Sequence, residues 1–246
     1  MLEVKNLNLT IEMKTILSNI SFLLKENKIT VLIGKNGSGK SSIVKSINGI
    51  TKYTGNIILN NQNILELKNN ERAKEIAILP QYLEVVHITV KDLVSLGRNP
   101  YLKLFSKLSE KDRKIINDAI TLFDLNELEN NYLDTLSGGE LQKAYLAMLI
   151  AQDTNILVLD EPTTYLDIDF EGYFLDKIKQ LKGNKTILLV LHNITKAIEI
   201  ADEVIILDNG KIIYNDSKDK LLNTTIIEEL FNVKKYIIKD KVFYTK

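Results

Sequence analysis

Apolar residues recur along this chain with two different periods. Ile29–Ile33 is a short, β-branched apolar run that ends at Gly34, and Ser41–Ile50 after it carries Ile43, Val44 and Ile47 at helical spacing. The pattern predicts a strand, a glycine-rich loop and a helix in that order. Farther on, Ile156–Leu159, Thr186–Leu191 and Val204–Leu207 are continuous apolar runs separated by helical stretches, the signature of a largely parallel sheet covered on both faces. Residues 2–24 and 55–59 alternate as half-exposed antiparallel strands do, with a turn at Asn60-Asn61, where asparagine tolerates left-handed backbone. Residues 84–150 are mostly helical by spacing. Ser109 stands at capping-box distance from Asp112, and Ile115, Ile116, Ala119, Ile120 and Phe123 then share one face, which marks core packing. Asn209-Gly210, between Val204–Leu207 and Lys211–Tyr214, signals a hairpin, and the tail from about Lys218 reads as one helix and a last strand pair. No repeat, low-complexity tract or Pro/Gly-rich linker divides the chain.

Composition narrows the function classes. With 246 residues, 45% of them hydrophobic, the chain can bury a core without disulfides or a structural metal. It has no cysteine, which removes thiolate catalysis, iron–sulfur clusters and cysteine-built zinc sites. Its 32 basic residues balance 32 acidic ones, which argues against a polybasic surface for nucleic acid or anionic lipid. The apolar runs fall far short of the ~20 residues of a membrane-spanning helix, and Met1-Leu2-Glu3-Val4 lacks the regions of a signal peptide. A cytoplasmic location fits, and any transport role would borrow its pore from another chain.

Three segments carry chemistry. Gly34-Lys35-Asn36-Gly37-Ser38-Gly39-Lys40-Ser41 matches G-x-x-x-x-G-K-[ST] between a strand and a helix, the context that this phosphate-binding motif requires. Its glycines let backbone N–H groups close around phosphate oxygens, and the helix N-terminus adds partial positive charge. Lys40 would reach the β- and γ-phosphates of a nucleotide, and the Ser41 hydroxyl would ligate Mg²⁺. Ile156–Leu159 delivers Asp160 and Glu161 at its carboxyl end, where open α/β sheets bind ligands. Successive strand side chains point to opposite sides, which predicts different jobs: Asp160 holds Mg²⁺, and Glu161 polarises the attacking water as general base. Ser137-Gly138-Gly139-Glu140, opening the helix-like stretch Leu141–Gln152, offers a second glycine-lined helix start and hence a second phosphate cradle.

Taken together, the chain resembles the nucleotide-binding subunits of ATP-binding cassette transporters over essentially its whole length. The motifs appear in that family's order: the phosphate loop Gly34–Ser42, Gln81 after Ile76–Pro80, the signature Leu136–Glu140, Asp160-Glu161, Tyr165-Leu166-Asp167, and His192 closing Thr186–Leu191. The resemblance implies an α/β phosphate-loop NTPase core with a mostly parallel sheet, an antiparallel β subdomain and an inserted helical subdomain. It also implies ATP and Mg²⁺ as cofactors and a head-to-tail pair of copies. In such a pair each ATP lies between one phosphate loop and the partner copy's Ser137, Gly138, Gly139 and Glu140. Further implied roles are Gln81 as sensor of Mg²⁺ and water, Asp167 at the dimer seam, and His192 on the γ-phosphate. One cassette over 1–246 is expected: core and antiparallel part about 1–83 and 151–217, helical part about 84–150, C-terminal extension about 218–246. His87 matches no motif position and reads as an ordinary half-exposed residue.

Ile88–Pro100, Leu146–Thr154 and Asp160–Ile168 are similar to segments in the ATPases of iron–siderophore, ferric dicitrate, haem and cobalamin importers. The implied setting is the cytoplasmic face of a membrane, beside separate permease subunits that residues 84–105 would contact, with an external substrate-binding protein delivering cargo. Zinc or manganese importers, exporters and soluble non-transport cassettes share the catalytic motifs; Lys40 and Ser137 lie too close in sequence, with no heptad run between, for a chromosome-type coiled coil, and no nucleic-acid partner is expected. Three positions depart from the family pattern. Ile11 stands where an aromatic residue usually stacks on adenine, Glu140 ends the signature where Gln is commoner, and Ser42 replaces Thr after Ser41.

Overall fold

The computed structural model describes residues 1–103, 106–163, 168–239 and 241–246. Its chain gathers into two compact units, residues 1–67 with 182–246 and residues 68–181.

In the first unit, Leu2–Ile11 and Lys14–Leu24 form an antiparallel hairpin, and Leu2–Ile11 pairs on its other side with Thr54–Leu59. One face of these strands supplies core: Leu2, Val4, Leu7, Leu9, Leu17, Ile20, Ile57 and Leu59 are all buried. The period-two alternation breaks between Val4 and Leu7 and between Leu17 and Ile20, where the register shifts and Asn6 and Asn19 stand at positive φ, and the buried face is kept. Positive φ at Asn60 and Asn61 makes the turn that the asparagines signalled. A second set of strands, parallel but for its edge strand Lys211–Ser217, follows the order Lys211–Ser217, Glu203–Asp208, Ile29–Gly34, Thr186–Val190. Ile29–Gly34 has a parallel neighbour on each side and every residue buried, so this run, apolar but for Thr30, has no solvent face to serve. Glu203–Asp208 and Lys211–Ser217 are antiparallel, joined through Asn209 and Gly210, both at positive φ as a two-residue hairpin turn demands.

The tail differs from the single helix expected. It holds two short helices, Lys218–Leu221 and Ile226–Phe231, before the hairpin Lys234–Ile238 and Lys241–Thr245. Asn223 and Thr224 stop the first helix: the Asn223 amide donates to the Asp219 carbonyl and the Thr224 hydroxyl to that of Leu221, local bonds that compete with helix continuation.

In the second unit, Ile76–Leu79 and Ile156–Asp160 lie parallel, Leu79 opposite Leu159. The helices Val90–Leu96, Glu110–Leu122 and Gly138–Ala151 pack on one another. The first two begin with closed capping boxes, Thr89 with Asp92 and Ser109 with Asp112; on the second, Ile116, Ala119 and Ile120 are buried. Arg98 knits this layer together. Its Nε donates to Asp112 Oδ1 at 2.9 Å, its Nη1 donates to the Ala151 carbonyl at 2.8 Å, and its guanidinium lies 4.1 Å from the Tyr101 ring centre. Gly97 lies so close to the helix Gly138–Ala151 that a side chain there would strike the Met148 carbonyl. Among the described residues no helix is long and apolar enough to cross a membrane.

Candidate functional site

The phosphate loop leaves the carboxyl end of Ile29–Gly34 and enters the helix Lys40–Ile47. Gly39 caps this helix at φ 107 with no side-chain cap, and its first turn holds no acidic residue. The helices after Thr89, Ser109, Ser137, Asn193 and Ser217 each have a side-chain acceptor instead. An uncapped N-terminus keeps its N–H donors for an anion. Lys40 is buried, its Nζ donating to the Gly34 carbonyl at 3.0 Å and the Lys35 carbonyl at 3.3 Å, so the ammonium is folded back inside its own loop. Ser38 Oγ is buried with no hydrogen-bond partner among the described residues, a costly state that a phosphate oxygen would relieve. A side chain at Gly34 would collide with the Leu207 carbonyl oxygen and come within 2.7 Å of Ser38 Oγ; one at Gly39 would come within 2.6 Å of Leu17. The loop packs this closely on Leu207 and Leu17 only because these positions are glycine.

A brace that the sequence did not advertise holds the loop from behind. The hairpin turn at Gly210 donates its N–H to the Ser38 carbonyl at 3.0 Å and accepts from the Ser18 N–H at 2.8 Å. Asn209-Gly210 was legible as a turn; that it supports the loop depends on Gly34 and Leu207 lying side by side in the sheet. His192 follows the neighbouring strand Thr186–Val190, exposed, just before Asn193 caps the helix Ile194–Ile200. Leu32 pairs with Val190, so the phosphate loop and His192 leave the carboxyl ends of adjacent parallel strands, where such sheets bind ligands.

In the second unit the same geometry joins Gln81 and Glu161, which follow the ends of the paired strands Ile76–Leu79 and Ile156–Asp160. Gln81 Nε2 donates to Glu161 Oε2 at 2.6 Å. Asp160 is 4% exposed and Glu161 6%. Strand alternation does not set these two carboxylates apart. Glu161 has left the strand, at φ 53, and a non-glycine residue in the left-handed region costs roughly 1–2 kcal/mol. That turn and the Gln81 bond set where its carboxylate sits.

The signature residues Ser137, Gly138, Gly139 and Glu140 open the helix Gly138–Ala151 with Ser137 as N-cap. The Ser137 hydroxyl and N–H both donate to Glu140 Oε2, at 2.7 and 2.8 Å, and the Glu140 N–H returns a bond to Ser137 Oγ at 3.4 Å. Those two donors hold the Glu140 carboxyl below its ordinary range, helped by the charge of Lys143. The S-x-x-E spacing of a capping box could have revealed this closure. Phe170 lies behind, its ring 3.4 Å from where a Gly139 side chain would begin. Tyr165, Leu166 and Asp167 lie outside the described residues. His87 is exposed, stacked on Tyr132 with ring centres 4.2 Å apart, and its Nδ1 is 2.9 Å from Asp134 Oδ2.

Oxygen donors of the kind that Mg²⁺ takes stand in each unit by itself: the Ser41 hydroxyl in the first turn of its helix in the first, and the buried Asp160 carboxylate and the Gln81 amide oxygen in the second. Hard oxygen donors in small number fit an ion that keeps water and substrate phosphate as its other ligands. Among the described residues no group of three or more His, Asp or Glu forms an all-protein metal cage.

A glycine-cradled helix start with an internal lysine, leaving the carboxyl end of a buried parallel strand, defines a phosphate-loop NTPase. The profile of the family described as "ABC transporter" matches residues 17–164. The achromobactin transport ATP-binding protein of Dickeya dadantii is 36% identical, over 98% of this chain and 91% of its own length. The petrobactin import ATP-binding protein of Bacillus subtilis is 36% identical over 95% and 93%. A dimeric ATP-binding cassette solved in a post-hydrolysis state with ADP and Pi superposes with a TM-score of 0.77 at 25% identity, covering 89% of this chain and 99% of that one. This chain belongs to the ABC transporter family, as an ATP-binding cassette that hydrolyses ATP.

Proposed function

We propose that the chain is the ATPase of an importer for ferric siderophores, bound to separate permease subunits at the cytoplasmic face of a membrane. Two copies pair head to tail around ATP, and residues 84–105 meet the permease while an external binding protein supplies cargo. Residues 1–246 act as one cassette, with the core and antiparallel part at about 1–83 and 151–217, the helical part at about 84–150 and the extension at about 218–246. Support for the cargo comes from relatives named for achromobactin transport and petrobactin import that match nearly end to end. Support for pairing comes from the dimeric state of the similar cassette.

The single observation that carries the chemistry is the hydrogen bond from Gln81 to the buried Glu161 carboxylate. In this reading Glu161 accepts the proton of the water that attacks the γ-phosphorus, and the bond to ADP breaks. Gln81 holds that carboxylate and orients the water. The backbone of Gly34–Ser42 and the Lys40 ammonium hold the phosphates, and His192 contacts the γ-phosphate. The partner copy's Ser137, Gly138 and Gly139 close over it, with Asp167 at the seam. Ser41, Asp160 and Gln81 would hold Mg²⁺, which supplies charge neutralisation at the phosphates when bound.

The test is uptake of labelled iron carried by catecholate, hydroxamate and carboxylate siderophores, alongside haem, cobalamin and zinc, in a strain lacking this protein. Loss of one ferric-siderophore uptake is expected, restored by the parent gene and not by Glu161→Gln. Loss of zinc or cobalamin uptake alone would overturn the cargo.

A further inference from the structure

The chain has two glycine-lined helix starts, and the structure treats them oppositely. At Gly39 the helix Lys40–Ile47 opens with no side-chain cap and no acidic residue in its first turn. At Ser137 the helix Gly138–Ala151 is closed by its own Glu140, one carboxylate oxygen taking both the hydroxyl and the N–H of Ser137. A serine hydroxyl has one proton to donate. While it points at Glu140 it cannot point at a phosphate. The carboxylate also sits at the positive end of a 14-residue helix, where an incoming anion would be stabilised.

The geometry points to Glu140 as a built-in competitor of the nucleotide: its carboxylate occupies Ser137 and the helix start, and must be displaced before the partner copy's ATP can be clamped there. This inference rests on the head-to-tail reading above and adds its regulation. Closure then requires the Ser137 hydroxyl to rotate from Glu140 to a γ-phosphate oxygen, and the carboxylate to withdraw from the triphosphate. After phosphate release the capping box re-forms and favours reopening. Two observations support a carboxylate that stays charged in the open state: the pair of Ser137 donors, and Lys143 one turn along the same helix. Lys143 is itself turned toward the Tyr173 ring, 4.3 Å from its centre, so it does not fully neutralise Glu140.

Glu140→Gln keeps the shape and an acceptor oxygen, and S-x-x-Q still closes a capping box; it removes the charge. Glu140→Asp keeps the charge. Both are compared in a Glu161→Gln background, in which ATP is not consumed, by titrating Mg-ATP and following the dimer by light scattering. Glu140→Gln should lower the ATP concentration for half-maximal dimer by about fivefold, the scale of a charge at a helix terminus. That difference should shrink with added salt because exposed charges are screened, and Glu140→Asp should stay within twofold of the parent. Equal ATP requirements for parent and Glu140→Gln, with ATP-free melting temperatures unchanged, would overturn the competitor role and leave the head-to-tail reading standing. If the background protein forms no dimer with ATP at any concentration, that reading fails, and the competitor role with it.

Discussion

Replacing Arg98 by Met would test how the helical layer of residues 68–181 is held. The guanidinium bonds Asp112 and the Ala151 carbonyl at 2.9 and 2.8 Å, and both charged side chains are buried. Removing one partner of a buried ion pair costs about 3–5 kcal/mol. Asp112 keeps the Ser109 hydroxyl and N–H as donors, which places the loss at the lower end of that range, while the orphaned Ala151 carbonyl adds about 1 kcal/mol or more. A total of about 4 kcal/mol is expected, partly offset by the apolar contacts of Met. Native-state hydrogen exchange at amides of Glu110–Leu122 and Gly138–Ala151 is the assay, since it reads this layer directly. A loss of about 3 kcal/mol speeds their exchange by about two orders of magnitude. Asp112→Asn should cost a similar amount, and the double variant should show a coupling of about 2 kcal/mol. Additive effects, with coupling under about 0.5 kcal/mol, would refute the argument. The pH dependence has a defined sign. Hydrogen bonds from Ser109 first, then Arg98, hold the Asp112 carboxyl below its ordinary value. The unfolded chain therefore binds the proton first as pH falls, so this stabilisation is full above about pH 4 and is lost as pH drops through the folded value. Asp112→Asn should flatten that part of the stability profile.

Other perturbations address the nucleotide directly. Ile11 is 47% exposed beside Met13 at 99%, at the tip of the first hairpin; Ile11→Tyr should tighten ATP about fivefold if base stacking adds about 1 kcal/mol, and an unchanged Kd by calorimetry would show that adenine is held elsewhere. Gly34→Ala should weaken ATP binding more than tenfold with helix content intact by circular dichroism, because the methyl meets the Leu207 carbonyl and Ser38 Oγ. Gln81→Ala should lower kcat at least about tenfold, at the modest end of acid–base effects, with Kd for ATP within twofold of the parent.

Much of the fold was legible because local pattern and tertiary role agree. Ile29–Gly34 is apolar at every position but Thr30 because it is buried on both faces, and Asn209-Gly210 turns left-handed as its residues favour. What stayed hidden depended on contacts distant in sequence or on backbone handedness. Arg98 meets Asp112 and Ala151 through helix packing, which no spacing announces. The tail broke into two helices because Asn223 and Thr224 capture carbonyls locally. At the site, Gly34–Ser41 and Asp160 could be read from motif and strand end, whereas the left-handed turn at Glu161 could not. Alternation had assumed that the strand ran one residue farther. The closed capping box at Ser137 was present in the spacing to Glu140 and gained meaning only beside the open helix start at Gly39.

The most direct test of the account is the mass of the Glu161→Gln protein in solution with Mg-ATP, measured by light scattering together with ADP release. Glu161 as the base, and ATP shared by two copies, predict a doubled mass with ATP, the single-chain mass without it, and negligible ADP. Hydrolysis at the parent rate would contradict the assignment of Glu161, and a single-chain mass at saturating ATP would contradict the shared site.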